Sequence, residues 1–148
     1  MKYFHLLIFL SLALVGPDAA TAQSDAILGR WHTESRESII EITRQGDHYI
    51  GKIVWTENLR DENGNLKKDV LNPDASKHHI LYTDVLILKD FTFNGTDTWE
   101  GGEIYDPTHG KTYSANISMK NKNTLKLRGY IGTPLLGKTV TWVRETGR

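Results

Sequence analysis

Past its first two dozen residues the sequence alternates apolar and polar side chains with a period of two, and no window carries a helical period. In "SIIEIT" Ile40 and Ile42 share one face. In "YIGKIVWT" Ile53 and Trp55 are placed on one face and Ile50 and Val54 on the other. "TYSANISMK" sets Tyr113, Ala115, Ile117 and Met119 against Thr112, Ser114, Asn116 and Ser118. A chain patterned this way forms half-buried strands, and every strand edge then needs a partner. Turn signals recur at short intervals: "RQGD" from Arg44, "NGTD" from Asn94, "DPTHG" from Asp106 and "KNKN" from Lys120. About eight strands joined by short turns close into a ring and leave no edge exposed. The expected fold is all-β, a single antiparallel up-and-down β-barrel of about eight strands.

The amino-terminal segment reads differently. Lys2, an apolar run from Leu6 to Val15 and the small residues Ala20-Thr21-Ala22 have the form of a secretory signal, with Gln23 as the mature start. The expected organisation is a signal peptide at 1–22 and a barrel at 23–148, in a protein exported to the periplasm or the outside of the cell. The apolar run is far short of the roughly 20 residues that cross a bilayer as a helix, so no transmembrane segment is expected. There is no Cys, so the fold depends on a hydrophobic core and not on disulfides. Eighteen Lys and Arg balance eighteen Asp and Glu. A net charge of zero predicts no long-range field that would favour nucleic acid or an anionic membrane.

"WEGGEIYDPTHGKTY" holds Asp106 and His109 three residues apart. Catalysis by such a pair needs a third group, and neither a Ser elbow nor a Cys accompanies it. Turn chemistry accounts for the rest: Asp106 can accept backbone N–H bonds, Pro107 presets φ, and Gly110 can adopt the left-handed conformation that closes a four-residue hairpin. Gly101-Gly102 marks a bulge. Inward carboxylates such as Glu103 would have to converge with another group to suggest an enzyme, and none is predicted.

One segment breaks the pattern of short loops: Glu57 to Asp84, "ENLRDENGNLKKDVLNPDASKHHILYTD". Loops beyond about 12–15 residues in a compact domain tend to be functional or disordered. Asp61, Asn63, Asn65 and Asp69 invite a calcium reading, but Gly64 stands at the wrong position and no Glu closes the loop, so no metal or cofactor is predicted. His78 and His79 are adjacent and would face opposite sides of a strand. As a contact surface, the segment offers Asp69, Asn72, Asp74 and Tyr82 as candidates, with no protein partner identified.

The other candidate site is the barrel interior. Trp55, Tyr113, Trp142 and Arg144 are its expected ligand-binding residues. If Gly29 and Trp31 face inward on the first strand and Val140 and Trp142 on the last, Arg144 shares that face beside Trp31. Two roles then compete for Arg144. It either stacks on Trp31 and closes the barrel, which accounts for both residues standing at strand ends, or grips an anionic ligand. The expected function is non-catalytic binding of a small apolar molecule in or at the mouth of the barrel. The alternative is a cell-envelope interaction module that uses the 57–84 loop, with a filled barrel and no ligand.

Gly29-Arg30-Trp31 and a late Arg are similar to the G-x-W and closing Arg of lipocalins. The wider set, "GRW", "GKIVW", "DVLNPD", "GGEIYDPTHGKTY", "LRGYIG" and "TWVR", resembles the exported bacterial domain-of-unknown-function family 2147 across nearly the whole mature chain. The resemblance implies a lipocalin-like or streptavidin-like barrel in the cell envelope or outside the cell, with no activity to carry over. The chain departs from the family pattern after "NPD", where His78 and His79 stand at basic or polar positions and Asp84 stands in place of a Gly.

Overall fold

A computed structural model describes residues 19–147. A short helix, α1 (Ala19–Ser24), leads through a 3-10 turn at Asp25–Ile27 into the strands. These are β1 (Gly29–His32), β2 (Ser38–Gln45), β3 (His48–Thr56) and β4 (Leu86–Phe93). They continue as β5 (Thr98–Asp106), β6 (Lys111–Asn121), β7 (Thr124–Tyr130) and β8 (Lys138–Arg144). Each strand pairs antiparallel with the next, and β1 pairs with β8 through Trp31↔Arg144 and His32↔Val143, which closes the ring. The expected up-and-down barrel of eight strands is the observed one. Of the predicted signal peptide, residues 1–18 lie outside the described residues.

The alternation that predicts the strands also selects the core. Ile40, Ile42, Ile53, Ala115, Ile117, Leu125, Leu127 and Trp142 are each no more than 4 % exposed. Trp31, Phe91 and Trp99 fill one half of the barrel. Bulges mark where the barrel bends. Gly101, at φ 72°, is an extra residue between Trp99↔Ile117 and Gly102↔Ala115, as the Gly-Gly pair predicts.

A second bulge overturns one expectation. Consecutive residues Ile39 and Ile40 pair with Trp55 and Ile53, which leaves Val54 as an extra residue in β3. One inserted residue reverses the phase of a strand. Ile53 therefore stays buried while Trp55 is 45 % exposed, and the two do not share a face.

One end of the barrel is closed by side chains that hydrogen-bond to the chain entering β1. The Arg144 guanidinium lies 4.0 Å over the Trp31 ring. Its nitrogens donate to the carbonyls of Ala26 (2.7 Å), Leu28 (2.7 Å) and Lys122 (2.8 Å). Trp31 Nε1 donates to Ile27 O, and Trp99 Nε1 to Ser24 O. Gly29, at φ 115°, leaves room for the guanidinium, since a Cβ there would come within 3.1 Å of Arg144 Nη1. Burial pulls the Arg144 pKa below the usual guanidinium range.

The segment from Glu57 to Asp84 folds across the outside of the other end. Its tip is a small turn, with Arg60 bridged to Leu66 and the Asp61 carboxylate accepting from the N–H groups of Asn63 and Asn65. Of the oxygens that suggested calcium, Asp61 Oδ1 is thus engaged by turn geometry. A second bridge joins Lys68 and Leu81, and 3-10 turns at Ala75–Lys77 and Tyr82–Asp84 complete the path.

Candidate ligand-binding cavity

The end opposite Arg144 opens into a cavity of about 690 Å³. Its walls are inward positions of the strands: Ile40 (β2), Ile53 (β3), Ile87 (β4), Ile104 (β5), Tyr113 (β6) and Trp142 (β8). Leu127, Val140 and Gly129 complete the lining. The rim is polar and comes from the connecting segments, with Thr33 and Ser35 from β1–β2, Tyr82 from the long segment, and Asp106 to His109 from the β5–β6 hairpin. Lys111 and Lys138, the first residues of β6 and β8, are exposed at the same rim. An apolar chamber of this size with a few polar groups at its entrance has the anatomy of a small-molecule site.

The β5–β6 hairpin has the geometry its residues predict. Asp106 accepts from the Thr108 N–H at 2.9 Å, and Gly110 sits at φ 63°. His109 is exposed, and its Nδ1 donates to the other Asp106 oxygen at 2.7 Å. Among the described residues no serine hydroxyl bonds to His109. Gly110 has a further reason to be Gly, because a Cβ there would lie 2.0 Å from the Leu71 carbonyl oxygen. The "DVLNPD" motif is thereby packed on the hairpin motif.

Asp69 forms the other half of that contact. It is 1 % exposed, and its two carboxylate oxygens accept from Tyr105 Oη and from Asn72 Nδ2, both at 2.7 Å. His78 Nε2 donates to the Asn72 carbonyl, and Asp74 caps the turn at Ala75–Lys77 by accepting from Ser76 N. The hydrogen bonds from Ser76 hold the Asp74 carboxyl below the ordinary carboxylate range. Of the four contact candidates in this segment, Asp69 is a correction: it is a buried latch with no surface to offer a partner. Asn72 is half-buried inside the same network, Asp74 is an exposed cap, and Tyr82 is half-buried at the cavity rim.

The expected ligand-binding residues divide in the same way. Tyr113 and Trp142 line the cavity. Trp55 is turned out by the Val54 bulge, and Arg144 is held at the closed end by three carbonyls, so neither reaches it. Glu103 is exposed, not inward. Lys111 and Lys138 were missed, although the alternation that selects Tyr113 and Trp142 reaches each of them two and four residues earlier.

Tyr105 also gives the stability of the latch a pH dependence. Burial, and next the hydrogen bond and charge of Asp69, push its phenol pKa well above the ordinary 10.0, while burial raises Tyr49 and Tyr82 in the same direction. The folded state then keeps a proton that the unfolded chain releases. This contribution is intact below pH 10 and is lost as pH rises through the folded value. Urea midpoints should therefore fall above about pH 10, with a shallower fall in Tyr105→Phe. Equal slopes in the two proteins would remove Tyr105 from the alkaline transition.

A closed eight-stranded antiparallel barrel with one plugged end and one open, apolar cavity belongs to the lipocalin-like class. Residues 29–144 match the family model described as "Uncharacterized protein conserved in bacteria (DUF2147)", and the chain belongs to that family. The matched span runs from Gly29 to Arg144, the two residues in contact at the closed end. No curated protein matches the chain. Among solved structures it is similar to protein HP1028 from Helicobacter pylori, described as belonging to the lipocalin family. The two are 25% identical with a TM-score of 0.67, over 80% of this chain and 82% of that one. The likeness bears on this chain at the level of the fold.

Proposed function

We propose that this protein is an exported, non-catalytic carrier that holds a small apolar molecule inside the barrel, entering and leaving by the open end. The observation that supports the reading is the cavity of about 690 Å³ walled by Ile40, Ile53, Ile87, Ile104, Leu127, Val140 and Trp142. In this reading the Trp31–Arg144 stack seals the far end and takes no part in gripping ligand. Export is compatible with the barrel contacts of this segment: cleavage after Ala22 would leave in place Gln23, which donates to the Thr96 carbonyl, and Ser24, whose carbonyl accepts from Trp99. The amino-terminal sequence of the protein recovered from the medium or periplasm tests this part directly.

Gly129 offers a clean test of the cavity. A Cβ at Gly129 would stand 3.6 Å from Ile104 and 3.8 Å from Tyr113, ordinary contact distances, so a larger side chain there grows into the chamber without forcing its walls apart. Gly129→Leu should keep the fold, since a Gly within a strand is itself unfavourable. It should also lower affinity for an apolar fluorescent probe by about tenfold or more, by removing volume that the probe fills. Undiminished probe binding by a folded Gly129→Leu protein would place the probe outside the barrel. A second reading, contact with an envelope protein through the 57–84 segment, draws on the exposure of Val70 (60%) and Leu71 (57%). It predicts a captured partner lost on replacing both by Ser.

A further inference from the structure

The balanced net charge conceals a segregated one. Between Asp106 and Glu145 the chain contains seven Lys and Arg and no Asp or Glu. That interval is β6, β7 and β8 with their turns, three consecutive staves of the barrel, so the fold gathers it into one basic sector. Acidic side chains stand at the borders of the sector: Glu100 and Glu103 on β5, Glu34, which accepts from Thr141 N, and Glu145. At the open end of the sector lie Lys111, Arg128 and Lys138.

The same end carries the exposed apolar side chains. Of the nine large hydrophobic residues that are exposed among the described residues, all but Val143 lie on the open-end side, in connecting segments or, for Trp55, near the end of β3. The most exposed are in the β7–β8 connection: Leu135 at 87%, Leu136 at 82% and Ile131 at 73%.

This connection is built, not loose. Arg128 reaches across it, donating to Pro134 O (2.6 Å), Leu135 O (3.3 Å) and Thr139 Oγ1 (2.9 Å). Thr133 caps the 3-10 turn Pro134–Leu136 by accepting from Leu135 N. A Cβ on Gly137 would lie 2.6 Å from Gly129 O, so the return to β8 is tight against the end of β7. The N–H groups of Leu135 and Leu136 and the carbonyls of Pro134 and Leu135 are bonded within the connection or to Arg128, and the two leucine side chains are held outward in water beside the entrance of an apolar cavity. A water-facing function gives no physical reason for that arrangement.

We propose that the open end docks on an anionic lipid surface, with Ile131, Leu135 and Leu136 entering the acyl boundary and Lys111, Arg128 and Lys138 lying at headgroup level. Apolar tips ringed by cations have this interfacial chemistry, in which buried aliphatic area and attraction to anionic headgroups add together. The cavity entrance then faces the membrane, which lets an apolar ligand pass between bilayer and barrel without crossing water. Docking depends on the loop and the charges, not on occupancy of the cavity, so it stands or falls apart from the carrier reading.

The test is co-sedimentation of the folded protein with vesicles of phosphatidylcholine alone and of phosphatidylcholine with about one-third phosphatidylglycerol. Binding is expected to the anionic vesicles and to weaken with salt. Leu135→Ser with Leu136→Ser should lower the partition coefficient by about tenfold or more, and Lys138→Gln by roughly fivefold. Both variants should retain the circular dichroism spectrum of the parent, the double-serine variant should also retain its apolar-probe affinity, since neither leucine lines the cavity, and Gly129→Leu should bind vesicles as the parent does. The proposal is overturned by failure to bind anionic vesicles, by equal binding to both vesicle types, or by a double-serine variant that sediments like the parent. A dimer in solution that the double-serine change dissolves would assign the loop to a second copy and overturn it as well.

Discussion

Trp31→Ala is expected to lower the melting temperature by on the order of 10–20 °C. The ring is 0% exposed and packs in the core, so its removal leaves a cavity that rigid strands on either side cannot close. Truncating a buried Trp costs about 3–5 kcal/mol on that ground alone. The guanidinium 4.0 Å above the ring then loses the π face that covers it, a further 0.5–2 kcal/mol as an approximate range. Against a total stability of about 5–15 kcal/mol for a domain of this kind, the loss is a large fraction of the whole. Arg144→Lys is the informative companion. It keeps the charge but cannot reproduce a planar fork donating to Ala26, Leu28 and Lys122 at once, so an intermediate loss is expected. A calorimetric transition for Trp31→Ala that superimposes on the parent would remove the stack from the energetics of the barrel.

The second large effect is expected at Asp69. Asp69→Ala strands two donors that now point at carboxylate oxygens, Tyr105 Oη and Asn72 Nδ2, in a region with little water to replace them. Hydrogen bonds to a charged acceptor contribute about 1.5–3 kcal/mol each, so a loss of about 3 kcal/mol is expected. That figure is enough to free the segment from the barrel before the barrel itself unfolds. Hydrogen exchange should show it. The amides of Asp69 and Tyr82, which donate to Ile80 O and Lys67 O, should lose protection while those of β6 and β7 keep theirs. Asp69→Asn, with one acceptor retained, should lie between. Uniform loss of protection across the chain would instead make Asp69 part of one cooperative core.

How far each of these features is legible in the sequence depends on the range of the interaction behind it. The β5–β6 hairpin is fully legible, because Asp106, Pro107 and Gly110 act on a backbone within a few residues of themselves. Trp55 is misplaced by the same reasoning, because the bulge at Val54 is a property of the pairing between two strands and leaves no mark on the alternation of either. Asp69 reads as a polar loop residue until Tyr105, 36 residues on, is brought to it. Net charge is the plainest case: a sum over the chain reports zero, and only the adjacency of β6, β7 and β8 turns an acid-free interval into a basic face.

By itself, the sequence determined that this chain makes short antiparallel strands with one apolar face each, where most of them turn, and that Tyr113 and Trp142 point inward. Those follow from side-chain periodicity and turn stereochemistry, which act over two to five residues. The tertiary structure alone decided which end of the barrel is sealed and which is open, that Arg144 is consumed by carbonyls more than a hundred residues away in the chain, and that exposed leucines and lysines surround the entrance. Each of these depends on closure of the ring, the step that brings β8 against β1 and sets the connecting segments around a common mouth.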